Sequence, residues 1–419
     1  MRSPVSRFPA LADAPAVRVW RVAPYRIFMS GLTPYYVTMA IQRVGVGWLA
    51  WELSHSHAWV GAIAAADLLT LVVLGPFAGA AADRMDPLRL MRWSQLAMTV
   101  QAVALFAFMA AGIMTVWLLL ALSIVSGLIQ PTHHAARQMM VPLTVGRDNY
   151  ASAITMDSSL FHGSRFVGPM LAALAIATMG VASTFAIHLV GCAIFYVQLL
   201  RLEIAAPPPK SASQQGILQA IVAGGVYVRR HPGIWPLFLM LSVASLVARP
   251  LQELLPGFAG AVFDAGPTGL AWLTSAMGLG SLAAGLLLAA RGHVRGLATG
   301  SIAATFALAL STFGFVATDR LALALPFAAL WGFSLTLMGV GIQAQTQLAV
   351  ADDMRGRVMM IYAMIYRGLP ALGALIVGVI AGAIGIRSTF AIAALLTAIA
   401  WFALARRDRE IDAAMRRPD

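Results

Sequence analysis

A chain of 419 residues that is 60% hydrophobic and only 11% charged departs far from the average soluble domain, which carries about 25% charged residues. Its mean hydropathy of +0.80 and its recurring apolar runs of roughly 20 residues exclude a soluble globular protein and point to a polytopic membrane protein. A net charge of +12 would suit a nucleic-acid binder, but its placement along the chain excludes that use.

In chain order, residues 1–25 are polar or arginine-bearing and contain no signal-peptide h-region, so the first apolar run is expected to stay as a true span. Twelve helical spans are predicted, at 26–53, 58–82, 88–111, 114–137, 152–178, 182–202, 234–262, 268–290, 296–316, 321–345, 357–383 and 387–405. They are too long, and too lacking in polar alternation, to be barrel strands. The longest connection, 203–233, opens with "EIAAPPPKSASQQG", which has linker composition. It separates a six-span half at 26–202 from a six-span half at 234–405, and residues 406–419 form a tail. The lone cysteine, Cys192, lies in an apolar run, which rules out an intrachain disulfide and a cysteine-based metal site.

Counted by side, 23 of the 29 basic residues collect in the termini and in one set of loops, from Arg2 and Arg84 through Arg137 and Arg147 to Arg417. The opposite side holds Arg320 and Arg387, and four arginines lie inside spans. Basic loops stay cytoplasmic, so both termini are expected inside, with the charge meeting anionic lipid head groups.

The pentapeptide "STFAI" occurs at 183–187 and again at 388–392. The likeness extends backwards. "GSRFVGPMLAALAIATMGVASTFAI" aligns with "IYRGLPALGALIVGVIAGAIGIRSTFAI", pairing Arg165 with Arg367 and Pro169 with Pro370. Arg43 and Arg249 are 206 apart, close to the same offset. Six spans return the chain to its starting side, so these are parallel repeats, and a binding site is expected at mid-depth between them.

Twelve spans as six plus six, with both ends inside and a long middle loop, resemble the major facilitator superfamily. The loop "GAAADRMDPLR" is similar to that superfamily's Gly-x-x-x-Asp-Arg/Lys signature through Gly79, Asp83, Arg84 and Arg89, with Asp86 where a second glycine is usual. "ARQMMVPLTVGRDNYASAITM" resembles the branch of enterobactin- and macrolide-exporter-like proteins. "SRFVGPMLAAL" is similar to the antiporter Gly-x-x-x-Gly-Pro pattern at Gly168 and Pro169, but Ser164 replaces the first glycine. The resemblance implies an all-α major facilitator fold of two pseudo-symmetric six-helix bundles. It also implies that spans 1 and 7 line the cavity, and that Asp83 and its neighbours form a cytoplasmic gate. An ordinary basic loop is the plainer reading of that segment.

Ionised groups within a bilayer cost about 2.5–3.5 kcal/mol each on insertion scales, so those present should face water or one another. Arg43 and Arg249 are candidates to clamp an anionic group, because guanidinium forks match carboxylate and phosphate. Arg165, Arg367, Tyr36 and Trp331 are further candidate substrate contacts; for Trp331 lipid exposure is the alternative. Glu253, four residues after Arg249, could simply neutralise it. Asp67 is the candidate proton carrier, with Asp157 or Glu253 as alternatives; the other reading makes each a static partner of an arginine, Arg165 for Asp157. Trp48 and Trp51 fit an interfacial belt. His133 and His134 lack a third ligand at metal spacing, so no metal is expected.

No cofactor loop or catalytic constellation is present, and Lys210, the only lysine, follows proline rather than the glycine of a P-loop. Gradient-driven transport remains. The leading expectation is a monomeric, proton-coupled exporter of a drug, siderophore or other small organic compound in a bacterial inner membrane. The alternatives are an organic-anion uptake carrier or exchanger and a lipid flippase.

Overall fold

The computed structural model describes residues 19–66, 70, 85–146, 149–204, 217–291 and 296–415. The expected Asp67, Gly79, Asp83 and Arg84 lie outside the described residues.

The first half contains α1 (Ala23–Ser54), α2 (described over His57–Ala66), α3 (Pro87–Ala110), α4 (Val116–Val145), α5 (Tyr150–Met179) and α6 (Ala182–Leu200). A connecting helix, α7 (Ile217–Arg230), follows. The second half contains α8 (234–262, interrupted), α9 (Gly266–Arg291), α10 (Leu297–Val316), α11 (Leu321–Ala349), α12 (352–384, interrupted) and α13 (Ile386–Ala405). A short helix, α14 (Asp408–Met415), ends the described chain. Among the described residues, ten helices are long and apolar enough to cross a membrane. The other two expected spans are α1, which has 32 residues but carries more polar groups, and α2.

Two sequence expectations change. The 203–233 connection is not all linker: its second part is α7, which packs on the start of α12, where Gly224 abuts the Arg357 carbonyl. The fourth span runs on to Val145 rather than stopping at 137, because the apolar stretch 139–145 continues the helix through Pro142. Arg137 is therefore a buried residue within α4, not a loop residue.

Local chemistry sets the ends. Asp86 caps α3, its carboxylate accepting from Leu88 N (2.8 Å) and Arg89 N (3.2 Å), and Pro87 follows where a missing N–H costs nothing. Arg89 itself points outward from this first turn. Arg92 donates to the carbonyls of Leu199 (2.9 Å) and Leu202 (2.8 Å), at and just past the C-terminal end of α6. The repeat is visible in the backbone. Gly180 (φ 78°, ψ 172°) and Gly385 (φ 87°, ψ 146°), 205 positions apart, both precede the pentapeptide in a region that only glycine readily enters.

Within the first half α1 packs on α5 and α6, and α3 on α4 and α6; within the second, α11 packs on α9 and α10, and α10 on α13. The halves meet along α5 and α9. Gly278 of α9 lies against the Arg165 carbonyl, and Gly168 of α5 against Ala40 of α1. Small residues let these backbones approach closely, and with little hydrophobic drive inside lipid, that packing holds helices together. Pro169 and Pro370 are buried among such crossings.

Two interruptions share one pattern. In α8 a π segment at Ala244–Ala248 is followed by one residue and then Pro250; in α12 a π segment at Met364–Gly368 is followed by one residue and then Pro370. Proline has no N–H for the carbonyl four residues back, and its ring crowds that carbonyl. Each backbone answers by widening, as in the Arg249 N to Ala244 O bond of 2.9 Å. The carbonyls of Leu246 and Tyr366 are thereby released to other partners.

Candidate functional site

Those partners build the site. The Tyr366 carbonyl accepts from Arg249 Nη1, and the guanidinium lies 4.1 Å from the Tyr366 ring centroid. The Leu246 carbonyl abuts Gly373 of α12, where a Cβ would have no room. Arg249 is thus held against α12. Glu253, released from Arg249 by the break at Pro250, instead pairs with Arg43 of α1, Nη2 to Oε1 2.9 Å. The expected local Arg249–Glu253 pair does not form. The ion pair joins the two halves, and the Arg43 side chain is 48% exposed although it sits well inside α1. Arg43 is thus accessible at the seam between halves, while its partner Glu253 is only 17% exposed. Arg165 lies close enough to Arg43, Arg249 and Glu253 to feel their charges.

A second cluster sits two turns along α1. Tyr36 and Arg43 are seven residues apart, on one helix face and about 10 Å along the axis. Tyr36 is buried, and its hydroxyl donates to Asp157 Oδ1 (2.6 Å). Arg137 Nη1 donates to Asp157 Oδ2 (2.8 Å) and to the Tyr36 hydroxyl. Asp157 therefore pairs with Arg137 of α4, not with Arg165 as the static alternative held. Arg137 Nη2 lies 3.1 Å from His134 Nδ1, and Arg367 Nη1 of the other half lies 3.4 Å from His134 Nε2. A neutral imidazole has one acceptor nitrogen and a guanidinium only donates, so His134 satisfies one arginine at a time.

The structure brings Arg43, Arg165, Arg249 and Glu253 together at the seam, with Arg367 reaching the second cluster that holds Tyr36 and Asp157. It sets Tyr36 apart from an open surface, since its hydroxyl is already bonded. Trp331 is 1% exposed and faces neither lipid nor a cleft; it is packed in the core. Trp51 is also buried, against Gly260 of α8, rather than in a lipid belt. Arg137, His134 and Tyr366 went unrecognised in the sequence. For Arg137 a signal existed: the apolar stretch after it is long enough to draw it into the span. Among the described residues no group of three or more His, Cys, Asp or Glu is placed to hold a metal ion.

The family model for transmembrane secretion effectors of the major facilitator superfamily matches residues 31–418. The chain belongs to this family. It is accordingly a multi-pass membrane transport protein rather than an enzyme. The multidrug efflux pump Tap of Mycolicibacterium fortuitum is 28% identical over 84% of the chain and 87% of its own length. The staphyloferrin A transporter of Staphylococcus aureus is 23% identical over 85% and 89%. The crystal structure of the nucleoside transporter NupG superimposes with a TM-score of 0.69 at 12% identity, covering 94% of this chain and all of the other. That likeness establishes the major facilitator fold. In this secretion-effector protein the pseudo-equivalent arginines of spans 1 and 7 thus belong to α1 and α8, on facing halves.

Proposed function

We propose that this protein is a secondary active exporter of a small organic compound, working by alternating access around the Arg43–Glu253 seam in a bacterial cytoplasmic membrane. The observation that carries the reading is that ion pair: two charged groups from opposite halves meet inside the span region, and one of them is accessible. A pair of this kind holds one arrangement of the halves and must separate for the other. Relatives named as a multidrug efflux pump and as macrolide efflux proteins support export and an organic cargo. Both termini are assigned to the cytoplasm on the distribution of arginine.

Proton coupling is assigned to Glu253. Its partner belongs to the other half, so the ion pair that is made in one arrangement of the halves is broken in the other. Asp157, fixed within one half, is the next candidate. The test is efflux from proteoliposomes with and without an imposed pH gradient, using a fluorescent drug as cargo. Glu253→Gln should abolish the response to the gradient while cargo exchange at equal pH continues. A gradient response equal to that of the parent protein rejects Glu253 and moves the role to Asp157 or Asp67.

A further inference from the structure

Across the two clusters, five guanidiniums (Arg43, Arg137, Arg165, Arg249 and Arg367) stand with two carboxylates, Asp157 and Glu253, among the described residues. Even a third carboxylate would leave a surplus of positive charge. Such a surplus within a membrane is costly to maintain, unless something negative regularly enters. The groups are not equally placed. Arg137 is committed to Asp157 and Tyr36, and Arg249 to the Tyr366 carbonyl and ring. Arg165, among the described residues, makes no hydrogen bond or ion pair, yet it is near enough to Arg43, Arg249 and Glu253 to feel their charges. Its backbone is fixed by two close crossings, Gly168 on Ala40 and Gly278 on the Arg165 carbonyl. A guanidinium on a fixed backbone but given no acceptor has five donors to offer an incoming group.

We infer that the cargo of this site is an organic anion carrying carboxylate groups, and that Glu253 occupies the anion position until the cargo displaces it from Arg43. The inference rests on the transport site proposed above and specifies its cargo. Glu253 presents to Arg43 the same carboxylate chemistry that the cargo would present. When a cargo carboxylate takes Arg43 and reaches Arg165, Glu253 loses its charge partner at the seam. The interhalf pair is then broken by binding itself, so that cargo arrival and release of the halves become one event. A neutral cargo offers no such exchange and leaves the pair closed.

The full-length protein in phosphatidylcholine nanodiscs tests this, with tricarballylate (a small tricarboxylate) as probe and its trimethyl ester as the uncharged control. Saturable binding of the tricarboxylate, with none of the ester, is expected. Arg165→Gln should weaken it about tenfold or more, since one charge-assisted hydrogen bond contributes on that scale. Arg165→Lys should recover part of the loss. Glu253→Gln should tighten binding, because it removes the competing carboxylate; a merely structural Glu253 would give no change or a loss. Thermal unfolding midpoints identify variants that fail to fold, and the Arg165→Lys and Glu253→Gln results then carry the test. Equal binding of acid and ester, no saturable binding of the acid, or unchanged affinity in Glu253→Gln overturns the inference. Discs containing phosphatidylglycerol distinguish the other source of anion: displacement of the probe by that lipid assigns the site to a head group and overturns a soluble cargo. Dye efflux that persists in Arg165→Gln would leave the exporter reading standing while this one falls.

Discussion

Asp157 accepts from both Tyr36 and Arg137, and the side chains of this ion pair are only 14% and 9% exposed. Removing one member of a buried ion pair leaves the other charge without compensation, a loss of about 3–5 kcal/mol, whereas removing both can be close to neutral. Arg137→Gln and Asp157→Asn should therefore each lower the thermal unfolding midpoint of the detergent-solubilised protein markedly, and the double variant should recover much of the loss. Additive losses in the double variant would show that the pair is not coupled. At this scale the sequence disclosed which residues matter better than it disclosed their partners. A buried arginine or aspartate is conspicuous in an apolar run, so Arg43, Asp157, Arg165, Arg249 and Glu253 could be named. Partner choice depends on helix rotation between segments 20 to 210 positions apart, and a π turn with a proline between Arg249 and Glu253 spoils the simple i, i+4 rule.

At the scale of elements, apolar length alone marks ten of the twelve expected spans among the described residues; α1 and α2 are helical but fall short of that mark. Their breaks were harder to see. Pro250 and Pro370 were visible, but the widened turns before them, and the carbonyls these release, arise only when the helix is closed around the ring. The repeat can be tested through its turns. Gly180 and Gly385 share an extended backbone with positive φ, and no atom lies within 4 Å of where an added Cβ would stand at either position. Alanine there meets no clash, so its cost is backbone strain alone, about 1–3 kcal/mol. Gly180→Ala and Gly385→Ala should reduce stability by similar amounts in chemical unfolding of the solubilised protein. A loss at one and none at the other would break the equivalence of the two halves.

At the scale of the molecule, beside the α5–α9 crossing, a second set of tight contacts between halves lies at the end away from the described termini. Trp51 lies on Gly260, His57 on Gly257, Pro256 against Gly47, and Gly61 on the Ala374 carbonyl. Each of these is a glycine met by a ring or a backbone, a form of contact that closes fully or not at all, since packed surfaces have few intermediate arrangements. That end is shut, while the Arg43 side chain stays exposed. If the protein alternates, this end must part in every cycle, and locking it should stop transport without unfolding the chain. Cysteines at Gly47 and Pro256, whose contact is 3.2 Å from an ideal Cβ, can report this in a background where the buried Cys192 is serine. Oxidation should cross-link the pair and arrest dye efflux from proteoliposomes, and a reductant should restore it. Full efflux from completely cross-linked protein would mean that this end never opens, and the halves would then have to pass cargo by a route that does not separate α1 from α8.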